Sequence, residues 1–114
     1  MAGRMGTAAD VVFGPNAIAA VFDAAERSDS RGGLSGSRDA DGKGIYRVVN
    51  GTGSPEVGMF FPSEGTDATD EMVSAVRGEC GEGILIVVDA VAGELAVYMV
   101  TAEGHRMASA LQSE

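Results

Sequence analysis

Apolar residues fall along the chain in two rhythms, and those rhythms predict its elements. In Ala17-Ile-Ala-Ala-Val-Phe-Asp-Ala-Ala-Glu26, the residues Ile18, Val21, Phe22 and Ala25 recur at offsets of three and four, which is one face of a helix introduced by Gly14-Pro15-Asn16. Val57 to Phe61, Ile84 to Asp89 and Leu95 to Val100 are short apolar runs bounded by turn residues, and read as strands. The first is nearly continuous, which predicts a central strand covered on both faces. Between it and the second, Thr66-Asp-Ala-Thr-Asp70 supplies caps and first-turn acids for a helix reaching about Arg77, with Met72, Val73 and Val76 inward and Gly78 to Gly83 ending it.

The remaining segments carry weaker patterns. Residues 1–9 read as a flexible lead-in, and Asp10-Val-Val-Phe13 as a short strand or extended arm. Ser28 to Arg31 closes the first helix. Gly32-Gly-Leu-Ser-Gly-Ser37 reads as a strand whose bare backbone lets a neighbour approach closely. Asp39-Ala-Asp-Gly-Lys-Gly44 is a hairpin turn returning into the strand Ile45 to Val49, and Asn50 to Pro55 follows as a loop. A short connection centred on Ala92-Gly93 joins the last two apolar strands, residues from Glu103 onward are expected to add a short helix, and Ser113-Glu114 to fray. The result is an α+β chain: one domain over residues 10–112, with a mixed, curled sheet of about five to six strands flanked by two or three helices.

Composition narrows the function. The chain has 114 residues, 45% hydrophobic and 22% charged, which suits one compact domain with its own core. Seventeen acidic residues against eight basic ones give a net charge of −9, so nucleic acid and anionic membrane are poor partners. Lys43 is the only lysine, a balance expected of a salt-rich or GC-rich organism. Cys80 alone cannot form an intrachain disulfide framework or a zinc ribbon. The apolar run Ile84 to Val88 is too short to span a bilayer, and no charged-then-apolar leader begins the sequence, so a cytoplasmic location is expected. Asn50-Gly-Thr52 matches a glycosylation sequon but is read as a turn.

Few residues carry obvious chemistry. His105 and Cys80 are the only candidates for a nucleophile pair, and the acids around Cys80 would raise its thiol pKa and weaken it. Gly51-Thr-Gly53 lacks the Gly-Lys-Ser/Thr ending of a phosphate loop. Glu79, Glu82 and Asp89 are weighed as a weak divalent site against solvated surface acids.

The element order and several local patterns resemble the JAMM/MPN domain, with layering like that of cytidine deaminases. Asp29-Ser-Arg-Gly-Gly-Leu-Ser-Gly36 is similar to that family's catalytic acid before Gly-x-Leu-x-Gly, with Asp29 at the acid position. The family's Gly-x-x-His-x-His-Pro and Ser-x-x-Asp stand here as Gly58-Met-Phe-Phe-Pro-Ser-Glu64 and Asp67-Ala-Thr-Asp70. Anchored on Gly58, the resemblance puts Phe61 and Ser63 at the two histidine-ligand positions; anchored on Pro62, it puts Met59 and Phe61 there. Asp70 matches the third ligand and Asp67 replaces the serine. A catalytic zinc needs three N, O or S ligands with a supporting shell, and one carboxylate does not supply them.

The resemblance therefore implies a non-catalytic scaffold, archaeal in source, with no cofactor. Its partner would be a protein: a second copy of itself in a homodimer, or a catalytic MPN relative. Met59, Phe60 and Phe61 are the expected interaction residues. Two alternatives stand beside it: a metal-dependent isopeptidase of the deubiquitinase kind with altered ligands, and a small-ligand-binding regulatory domain. For Asp70 and Asp29, helix-terminal or loop acids are the plainer reading.

Overall fold

The computed structural model describes residues 11–14, 16–28, 31–38, 46–53, 55–108 and 110–112. The lead-in expected over residues 1–9, Asp29, the turn expected at 39–44 and the final Ser113-Glu114 lie outside the described residues. Among those described are two helices, α1 (Ala17–Ser28) and α2 (Asp70–Cys80), and eight strands: β1 (Val11–Phe13), β2 (Gly32–Arg38), β3 (Tyr46–Gly53), β4 (Gly58–Pro62), β5 (Gly83–Asp89), β6 (Glu94–Thr101), β7 (Gly104–Met107) and β8 (Ala110–Gln112). They form one mixed, curled, non-closed sheet in the order β7-β6-β5-β4-β2-β3-β1-β8. This is the expected α+β class, with more strands than the five or six read from the pattern.

Residue alternation along the central strands builds a core on each face. Ile84, Ile86 and Val88 of β5 pack with Phe60 of β4 and with Ala17, Val21 and Ala25 of α1. Leu85 and Val87 point the other way and pack with Met59, Val73 and Val76 beneath α2. Because successive side chains on a strand point to opposite faces, the two helices lie on opposite sides of the sheet. The apolar stripe expected for α1 is observed: Val21 and Ala25 are buried, and Ile18 and Phe22 pack partly buried against the same cluster.

The pairing of β4 with β5 requires close backbone approach. The two are parallel, from Gly58 opposite Ile84 to Pro62 opposite Val88, and α2 is the crossover that parallel strands need. A Cβ on Gly58 would come within 2.0 Å of the Ile84 carbonyl oxygen, so only glycine allows this approach. On the other side β4 runs antiparallel to β2, where Gly32 makes room for the Phe60 ring; a Cβ there would meet it at 2.5 Å.

Two boundaries differ from the sequence reading. Asn50 to Gly53 belongs to β3 and not to a loop, because β2 supplies backbone partners through irregular register, Ser35 opposite Asn50 and Gly33 opposite Gly53. The sequon asparagine is thus in a strand. Helix α2 passes through Gly78, an interior glycine costing only about 1 kcal/mol, and stops at Gly81, whose φ of 75° favours glycine and whose N–H donates to the Arg77 carbonyl.

The chain end forms β7 and β8 in place of a short helix. A few residues of helix gain too few hydrogen bonds to offset nucleation, whereas β7 finds a ready ladder on β6 and β8 one on β1. Among the described residues no helix is long and apolar enough to cross a membrane.

Candidate functional site

The C-terminal ends of the parallel strands β4 and β5 are where an open α/β sheet collects its loops, and both surfaces of interest lie there. On β4, Met59 and Phe60 are buried, each committed to one of the two cores. Of the three residues expected to meet a partner, only Phe61 retains exposed surface. It packs half-buried on the α2 side, and the exposed Arg31 guanidinium lies 5.9 Å from its ring centroid, within cation–π range. This contact brings the junction between α1 and β2 against the end of β4.

Beyond the strand, backbone bonds shape the loop. Ser63 N–H donates to the Val88 carbonyl at 2.8 Å, extending the pairing, and Ser63 Oγ donates to the Glu64 carbonyl at 3.4 Å. Gly65 turns at φ 88° and its N–H donates to Asp89 Oδ2 at 2.8 Å. Tyr98, reaching from β6, donates its hydroxyl to the Thr66 carbonyl at 2.6 Å. Thr69 then caps α2, its Oγ1 accepting from Met72 N–H at 3.2 Å.

Asp67 and Asp70 are both exposed, Asp70 opening α2 beside Glu71, where carboxylates complement the positive end of the helix dipole. Among the described residues no group of three His, Cys, Asp or Glu side chains comes together to hold a metal ion.

The other candidates engage different partners. Cys80 Sγ contacts the Pro55 carbonyl at 3.4 Å, while His105 meets the edge of the Tyr98 ring, so the two have different neighbours. Burial, and then the nearby Glu79 charge, push the Cys80 thiol pKa above its ordinary value, the direction that disfavours a nucleophile. Glu79 and Glu82 flank the start of β5 and Asp89 ends it, roughly 20 Å away at about 3.3 Å per residue, which removes that trio as a metal site.

Asp89 has a structural task that the sequence did not disclose. Its Oδ1 accepts from Ala92 N–H at 3.1 Å while Oδ2 accepts from Gly65, so one carboxylate joins the turn after β5 to the loop after β4. Hydrogen bonds from the Ala92, Gly65 and Val91 backbone hold its pKa below the usual carboxylate value. The available signal was an acid closing an apolar strand before a tight Ala-x-Ala-Gly turn.

Next to Asp89 lies a cleft of about 750 Å³, lined by Ala25 and Glu26 of α1, by Pro62, Ser63 and Glu64, and by Val88 to Val91. It opens on the α1 side of the sheet, whereas Phe61 and Asp70 belong to the α2 side. Comparison with family models and with curated proteins returns no match for this chain.

Proposed function

We propose that the chain is a non-catalytic, protein-binding module on an MPN-like frame, acting in the cytoplasm. The observation that carries this reading is Phe61 at the end of β4 with the Arg31 guanidinium over its ring. Under either anchoring of the resemblance, Phe61 occupies a ligand position, and a phenyl ring has no lone pair to give an ion. Its companion is Met59, which is buried, or Ser63, whose hydroxyl is turned to the Glu64 carbonyl.

A partly exposed aromatic ring beside an exposed arginine is instead the chemistry of a protein contact, since both residue types are enriched at protein interfaces. Ala68 and Met72 pack partly buried around the same α2-side cluster and extend the apolar surface. The partner class is protein, either a second copy or a catalytic relative; the net charge of −9 argues against nucleic acid.

The test combines metal content with association. The purified chain, incubated with excess zinc and desalted, is expected to retain no stoichiometric zinc and to leave a ubiquitin-like conjugate uncut. Analytical ultracentrifugation, alone and with a catalytic MPN protein, is expected to show a complex that Phe61→Ala and Arg31→Glu each abolish. Retained zinc, or cleavage lost in Asp70→Ala, overturns the reading, as does a monomer that binds neither.

A further inference from the structure

The cleft beside α1 lies across the sheet from Phe61 and is independent of the surface just argued. Its apolar surface is made by Pro62, Ala90 and Val91, with Ala25 and Val88 buried beneath them. Val91 is fully exposed, at 102% of its reference area, at the tip of the β5–β6 turn. The turn itself is held by Asp89 accepting from Ala92 and by Gly93 at φ 72°, so the Val91 side chain contributes nothing to its geometry. An exposed valine continuous with an apolar floor presents a seat for an apolar side chain.

The rim has the opposite character. Glu26 and Glu64 are exposed, and among the described residues neither has an ion-pair partner. Asp89 is kept ionised by its backbone donors. The nearest cations along the chain are committed elsewhere, Arg27 to Asp23 and Arg31 to the ring of Phe61 on the other face. Two copies paired through this face would set acidic rim against acidic rim, and that local like-charge repulsion disfavours a second copy here. A volume of about 750 Å³ takes a few side chains, far less than the face of a folded partner.

We propose that this cleft docks a short basic segment of a partner protein, with an apolar side chain seated against Pro62, Ala90 and Val91 and flanking Lys or Arg side chains reaching Glu26 and Glu64. Charge complementarity at the rim sets the sign of the partner, and the floor sets the register of its apolar residue.

The probe is acetyl-Arg-Leu-Arg-amide, titrated into the isotope-labelled full chain at low and at high salt and followed by amide chemical shifts, with acetyl-Glu-Leu-Glu-amide as control. Saturable shifts confined to Ala25, Val88, Ala90 and Val91 and their neighbours are expected, weakened by salt. The doubly substituted Glu26→Gln, Glu64→Gln chain should bind roughly tenfold more weakly, as two rim charge pairs lost together imply. Val91→Ser should also weaken binding, and Phe61→Ala should leave it unchanged. Equal binding of the acidic peptide, unsaturable shifts over the whole surface, or indifference to the rim substitutions overturns the proposal. So does equally tight binding of n-butylammonium, which would make the cleft a site for small organic cations.

Discussion

Asp89 accepts a hydrogen bond from the backbone N–H of Gly65 at 2.8 Å, so the last residue of β5 fixes the loop that leaves β4. The same carboxylate accepts from Ala92, and the native state therefore prefers the ionised form. A carboxyl whose pKa is depressed on folding stabilises the protein above its unfolded pKa, about 3.9 for Asp, and this contribution is lost as pH falls through the lower native value. The Asp89→Ala chain is expected to unfold at lower urea than the parent at neutral pH, with the gap closing below about pH 4. Urea midpoints measured across that range check it; a gap independent of pH rules out the ionised carboxylate as the cause.

Two glycines give opposite expectations for the same substitution. At Gly58 an added methyl meets the Ile84 backbone at 2.0 Å, and neither strand can yield without breaking the β4–β5 ladder. Gly58→Ala should cost about 3 kcal/mol or more, the upper end for overpacking. At Gly78, in the last turn of α2 and exposed, nothing lies within 4 Å of the new atom. Gly78→Ala should stabilise by about 0.5–1 kcal/mol through helix propensity. Chemical denaturation of both variants tests the pair, and equal signs would contradict it.

The legible parts of this chain were those where local pattern and tertiary burial agree. The stripe Ile18, Val21, Phe22 and Ala25 and the run Ile84 to Val88 announced α1 and β5, because one period each is enough to place their buried faces. Asn50 to Gly53 and Gly104 to Met107 carry no such period; they are strands because β2 and β6 offer backbone partners, and pairing of that kind leaves no trace in side-chain order. At the site, the sequence picked out the end of β4 but not which of its residues remains exposed. Met59 and Phe60 are consumed by the two cores that alternation creates, and the partners of Asp89 and Arg31 lie on other segments.

Tyr98 ties β6 to the same loop that Asp89 holds from β5. Its hydroxyl donates to the Thr66 carbonyl at 2.6 Å while the ring packs partly buried with the α2-side core. Tyr98→Phe keeps the ring and deletes the donor, so the expected cost is about 1 kcal/mol, the net value of one hydrogen bond. Amide exchange at Asp67 and Ala68 should quicken in the variant more than exchange in β5. Uniform acceleration would show global destabilisation and not a local tether.

Adjacent phenylalanines at the end of β4 separate stability from recognition. Phe60 is 2% exposed, its ring filling the space Gly32 leaves, and Phe60→Ala should cost about 3–5 kcal/mol by opening a cavity on the α1 side. Phe61 is half-buried against the α2-side cluster, and its face is also shared with the Arg31 guanidinium. A double-mutant cycle of Arg31→Ala and Phe61→Ala is expected to give a coupling of about 0.5–1 kcal/mol, the value for a cation–π contact at an exposed site. The two Phe variants should then diverge in a second way: Phe61→Ala remains folded and loses partner binding, whereas Phe60→Ala binds less only in proportion to its unfolded fraction. A null coupling, or loss of binding in a fully folded Phe60→Ala sample, would separate the ring of Phe61 from the recognition assigned to it.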